Sequence, residues 1–134
     1  MLRHLPLLLL AAASSATWGA ETIKCNEAGT QLELNACALD EFKRADQELN
    51  QTYAAVLKKE SQDPTFIRKL RAAQRAWIAF RDAEIDATYA CNEKDPRVCW
   101  GSMLPLSMTA YKTKLTRERT ARLQRFIDEG RPAD

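Results

Sequence analysis

Apolar residues recur at three- and four-residue spacing along most of the chain, the period of a helix with one buried face. Ala38, Phe42, Ala45, Leu49, Tyr53 and Val56 form the first stripe. Thr30 and Glu33 stand at its head as a T-x-x-E capping box, a pattern that satisfies two free backbone N–H groups. The spacing predicts a helix from near Thr30 to about Glu60, broken at Ser61–Asp63. A second helix opens at Asp63-Pro64, an N-cap followed by proline at the first helical position. Its stripe is Phe66, Leu70, Ala73, Trp77 and Phe80, widened by Ile67, Ile78 and Ile85, and it fades near Tyr89. Residues 91–102 hold Pro, Gly, Asn and Asp and read as a loop. A third helix starts between Pro105 and Thr109 and ends before Gly130, with Met108, Tyr111, Leu115, Leu123 and Phe126 on its buried side. No stretch has the alternation of a strand. The prediction is an all-α fold, an antiparallel bundle of about three long helices.

The first twenty residues have a different pattern. Arg3 precedes an apolar run from Leu5 to Ala13, and small residues follow to Ala20. This is the three-part form of a secretory signal, too short to anchor the chain in a bilayer. We expect residues 1–20 to be removed at export, leaving a single helical domain over 21–134 in the periplasm or outside the cell. The only histidine, His4, lies inside that segment. The exported domain then lacks an imidazole, which excludes Ser-His-Asp and Cys-His catalysis.

All four cysteines, Cys25, Cys37, Cys91 and Cys99, follow the export segment. An even count in an exported chain reads as two disulfides. Four cysteines allow three pairings. Nearness in sequence favours Cys25–Cys37 and Cys91–Cys99, each loop contributing about 2.5–3 kcal/mol by the chain-entropy model. A zinc site is the main alternative, but the pairs lack C-x-x-C spacing. No metal or cofactor is expected.

Charge is spread unevenly. Glu21 to Gln62 carries 5 basic and 8 acidic residues, Asp63 to Ala90 5 and 4, and Cys91 to the end 9 and 6. The overall balance is too small to suggest nucleic-acid binding. Lys112, Lys114, Arg117, Arg119, Arg122 and Arg125 crowd the third helix. A solvated face, partly paired with Asp40, Glu41, Asp46 and Glu48, explains most of them.

Two polar constellations stand on the helices. Gln74 and Arg81 share a face of the second helix, with Trp77 between them, Asp82 next in sequence and Glu84 close by. Asp46, Asn50 and Tyr53 share a face of the first. A ligand patch is one reading. A buried network, in which Arg81 meets a carboxylate of another helix or the Asp46–Asn50 pair, is the stronger one. The short loop between Cys91 and Cys99 adds a candidate binding element, presenting Lys94, Arg97 and the adjacent Trp100. Carboxylate-based hydrolysis is the weakest reading, because nothing shows two acids converging in a cleft.

The stretches CNEAGTQLELNAC, ADQELNQTY, AQRAWIAFRD and LTRERTARL resemble the LprI-type lysozyme inhibitor domain family, from Cys25 to about Leu123. The matching positions are Cys25, Cys37, Asp46, Leu49, Asn50, Tyr53, Gln74, Trp77, Arg81, Asp82, Leu115, Thr116, Arg119 and Leu123. The family often carries a cysteine where this chain has Ile85, and another near Tyr111; here the later pair is Cys91 and Cys99. The resemblance implies a non-enzymatic exported protein that binds and inhibits lysozyme or a related envelope-active protein. An envelope interaction or scaffold protein is the alternative.

Overall fold

A computed structural model describes residues 22–132; the expected export segment lies outside the described residues. The described chain is all-α: α1 (Gln31–Lys59), α2 (Pro64–Thr88), the short α3 (Arg97–Trp100) and α4 (Leu104–Asp128). Both disulfides have the favoured pairing, Cys25–Cys37 and Cys91–Cys99.

The helix starts follow local chemistry. Thr30 caps α1, with the Glu33 N–H donating to its hydroxyl and the Thr30 N–H donating to the Glu33 carboxylate at 2.7 Å. The Cys25–Cys37 bond folds the leading segment back along the second turn of α1. Asp63 caps α2 by accepting from the Phe66 N–H at 2.9 Å, and Pro64 occupies the first helical position. α4 begins slightly earlier than its pattern suggested, at Leu104, because Pro105 fits in a first turn that needs no N–H from it.

The bundle runs up, down, up. Lys59, at the end of α1, donates to the Phe126 and Ile127 carbonyls at 3.0 and 2.6 Å, so the C-terminal ends of α1 and α4 meet. This lysine satisfies carbonyls that the end of α4 leaves free. Phe66 at the start of α2 packs edge-on against Phe126, while Tyr89 at its end donates to the Ser107 carbonyl. α2 is therefore antiparallel to both neighbours. The closest helix approach is between α1 and α4. Small side chains explain it: Ala45 on α1 and Thr113 and Thr116 on α4 are all buried, and interaxial distance follows side-chain size at the contact. The threonines are also self-sufficient. Thr113 and Thr116 donate to the carbonyls of Thr109 and Lys112, four residues back, at 2.9 and 2.8 Å.

The main apolar cluster sits at the end where α1 finishes and α2 begins. Leu49, Val56, Leu70 and Leu123 form its buried centre, flanked by Tyr53, Leu57, Phe66, Trp77, Phe126 and Ile127. The inner face of α2 corrects the expected stripe. Leu70, Gln74, Arg81 and Ile85 are its buried positions, while Ala73 and Phe80 face outward, Phe80 with 56% of its surface exposed. The seven-residue step from Gln74 to Arg81 holds the true face; Phe80 lies a full 100° around the helix from Arg81.

Residues 91–102 also differ from the plain loop expected. Asp95 accepts from the Arg97 N–H at 3.0 Å, and α3 forms one turn after Pro96. Gly101 ends it at a φ of +68°, a conformation glycine adopts without strain.

Leu123→Ala should lower unfolding free energy by about 2–5 kcal/mol, as expected for a leucine cut from a closed core. Phe80→Ala should cost less than about 1 kcal/mol. Urea denaturation of both variants checks this, and a Phe80 cost equal to that of Leu123 would place Phe80 back in the core.

Candidate functional site

Above the apolar cluster, the bundle interior turns polar. Arg81 retains only 7% of its surface, and Gln74 is buried equally deeply. The Trp77 ring meets two guanidiniums, 5.2 Å from Arg81 and 5.9 Å from Arg119 to the ring centroid. Such stacking contributes about 0.5–2 kcal/mol per contact, more where water is excluded. Arg119 donates through Nε to the Gln74 Oε1 at 2.9 Å, tying α4 to α2. Burial pushes the Arg119 guanidinium down from its ordinary value, opposed by the nearby Tyr53.

Arg81 does not reach a carboxylate on another helix. Its partner is the next residue, Asp82, at 2.9 Å from both Nε and Nη2. The Phe42 and Trp77 rings lie along its length, 6.0 and 5.2 Å from the guanidinium carbon. Asp82 then meets Lys112 of α4 at 3.6 Å, and Lys112 also stands 5.0 Å over the Phe42 ring of α1. A chain of charge and ring contacts thus joins all three long helices. Hydrogen bonding from Arg81 holds the Asp82 carboxyl below its usual range, with smaller help from Lys112.

In the second constellation, Asp46 and Asn50 stay apart from the first, whereas Tyr53 lies near Arg119. Asn50 donates to Asp46 at 3.2 Å on the outer part of α1, and neither receives the Arg81 fork. Tyr53 borders the apolar cluster. Thr116 is fully buried and bonded to its own helix, Leu115 is half-buried, and Leu123 is in the core. Glu41 pairs with Arg117 across α1 and α4 at 2.8 Å, and Asp40 stays with Lys43 on its own helix.

The Cys91–Cys99 tip projects from the opposite end of the bundle to the apolar cluster. Lys94 is exposed. Arg97 is exposed too, but Asp95 holds its guanidinium through three contacts of 2.9–3.2 Å. Asp95 is correspondingly held below the ordinary carboxylate range, mainly by the Arg97 side chain. Trp100 packs edge-on against Tyr89 at 5.3 Å and donates to the Ala90 carbonyl at 3.3 Å. Tyr89 in turn meets Tyr111 at 6.3 Å, and Tyr111 donates to Glu84. The tip is therefore fixed to α2 and α4 by an aromatic ladder. Its outer surface is more apolar than the charged pattern suggested. Val98 is 71% exposed, Met103 44% and Trp100 42%. Val98 and Met103 carry no signal in sequence, and Lys112 stands out there only as one of the cations of the last helix; only the fold shows which way they face.

A groove between α2 and α4 includes Asp82, Asp86, Met108, Thr109 and Lys112. Two acids share it, yet Asp82 is held ionised, opposite to the raised value that an acid catalyst of glycoside hydrolysis needs. No group of three metal-ligating side chains converges among the described residues.

A stapled helical bundle with a polar interior and a projecting disulfide tip is the class of protein these observations define. The sequence model of the family described as "Lysozyme inhibitor LprI" matches residues 23–123, and the chain belongs to that family. A relative from Rhizobium meliloti (strain 1021), described as "Uncharacterized protein R02472", is 34% identical over 115 residues, 78% of each chain. No solved structure matches. The family span takes in both disulfides and the whole polar interior, but stops before Phe126.

Two outcomes test the site geometry. Gln74→Leu leaves the half-buried Arg119 Nε–H without its acceptor and should cost about 1–3 kcal/mol in urea denaturation; an unchanged midpoint would contradict the bond. Acid should also weaken the fold. Glu33, Asp63 and Asp82 are all held below their ordinary values, by Thr30, the Phe66 N–H and Arg81 respectively. A depressed carboxyl stabilises the fold fully above its unfolded pKa of about 4, and that stabilisation is lost as pH falls through the folded value. Stability measured from about pH 6 to 2 should fall mainly below about pH 4, and Asp82→Asn should make the fall shallower.

Proposed function

We propose that this protein is exported to the periplasm or cell exterior and there binds and inhibits lysozyme, or a related envelope-active protein, through its Cys91–Cys99 tip. Membership of the LprI family supports the inhibitor reading. Two disulfides fit an oxidising compartment. No helix among the described residues is long and apolar enough to cross a membrane.

The observation that carries the choice of surface is the exposed Val98 inside the disulfide-closed segment, with Trp100 and Met103 exposed just beyond it and Trp100 fastened to Tyr89. A pre-ordered apolar tip loses little conformational entropy on binding. Tryptophan is a common binding anchor when its surroundings exclude water. Lys94 adds a free positive charge for an acid-lined cleft, whereas Arg97 is occupied by Asp95 and serves to shape the turn. The reading is non-enzymatic: inhibition by occupying a cleft needs a rigid shape and no reacting group.

Oxidised protein at low micromolar concentration should inhibit lysozyme in a cell-wall lysis assay. Val98→Asp combined with Trp100→Ala should weaken that inhibition at least tenfold, about 1.4 kcal/mol, while circular dichroism stays helical. Arg97→Ala should have the smaller effect. Full inhibition by the Val98/Trp100 double variant would show that the tip is not the inhibitory surface.

A further inference from the structure

The outer face of α2 carries a row of cations with nothing to balance them. From Pro64 to Arg81 the sequence contains no acidic residue. Arg68, Arg71 and Arg75 follow one another at three- and four-residue spacing, so they share a strip of helix surface about 10 Å long. All three are exposed, and with Ser61, Pro64 and Ile67 they line a shallow groove without a carboxylate. None has an ion pair or side-chain hydrogen bond among the described residues. Five other arginines are engaged, Arg81 by Asp82, Arg97 by Asp95, Arg117 by Glu41, Arg119 by Gln74, and Arg131 by Asp63 and Glu60; Arg44, Arg122 and Arg125 are also without a partner among the described residues, but they do not form a row of three on one helix.

We propose that this strip is a docking surface for a linear polymer carrying phosphate groups. Guanidinium forks match phosphate oxygens two at a time, and a straight row suits an extended chain better than a single small anion. The strip's other outward positions, Ala72, Ala76 and Ala79, are small. They would let a chain lie close, while the exposed Ile78 and Phe80 further along α2 make a bilayer surface the competing occupant that the experiment has to separate. The strip lies in the first half of α2, which begins at the end of the bundle opposite the Cys91–Cys99 tip, so this binding does not use the tip.

Inorganic polyphosphate several tens of units long is the probe, titrated into the oxidised protein at two salt concentrations. Binding should weaken steeply with salt, as expected when several phosphates are neutralised together. Arg68→Gln, Arg71→Gln and Arg75→Gln combined should reduce affinity at least tenfold with an unchanged thermal melt. Arg44→Gln, Lys58→Gln and Lys114→Gln combined removes three exposed cations elsewhere and should change it less than twofold. Amide chemical shifts of the unmodified protein should move mainly over residues 64–76, which locates the surface even if the triple variant fails to fold. Equal losses in the two triple variants, shifts spread over the whole surface, or stronger binding to phosphatidylglycerol vesicles or polyglutamate than to polyphosphate would overturn the proposal.

Discussion

The contact of Trp77 with both the Arg81 and Arg119 guanidiniums is the constraint on which the bundle depends. Two arginines inside a small helical domain are costly unless each charge is met. Here the ring face meets both, Gln74 meets Arg119, and Asp82 meets Arg81. These contacts have fixed heights along α2 and α4. They allow one register of the antiparallel pair, since sliding by a turn would bury unpaired cations. The apolar cluster below supplies most of the burial, whereas the polar layer selects the alignment.

The α1–α4 pair works by a different principle. Alanine and threonine at the contact let two backbones approach closely, and the threonine hydroxyls return to their own helix instead of demanding partners. α2 stands further off because Trp77, Arg119, Phe66 and Phe126 occupy the space between. The wider spacing accommodates the rings and guanidiniums. At the far end, Tyr111, Tyr89 and Trp100 carry the order of the bundle out to the disulfide tip. The tip consequently has a defined outer surface although it has only one helical turn of its own.

Much of this was legible in the sequence. Capping at Thr30 and Asp63, the three long helices and both disulfide pairings follow from local rules that need no tertiary knowledge. The resemblance to the lysozyme inhibitor family was equally plain from its four motifs. Failures arose where a local pattern admits two answers. On α2, Phe80 looked like part of the stripe because hydrophobicity was the guide, while the buried face includes Gln74 and Arg81. The spacing points Arg81 to a carboxylate of another helix, but its carboxylate partner is the adjacent Asp82, and what α1 contributes is the Phe42 ring. In the tip, charge drew attention to Arg97, which Asp95 neutralises, and away from Val98 and Met103, whose exposure only the fold determines.

A bundle locked by its polar interior should present the tip as a ready surface. Hydrogen exchange of the oxidised protein, alone and with an equimolar lysozyme partner, tests that most directly. The account predicts slow exchange in the central turns of α1 and α4 in both states, with new protection concentrated in residues 91–103 on mixing. Protection confined to other helix faces, or rapid exchange through the polar layer around Gln74 and Thr116, would contradict it.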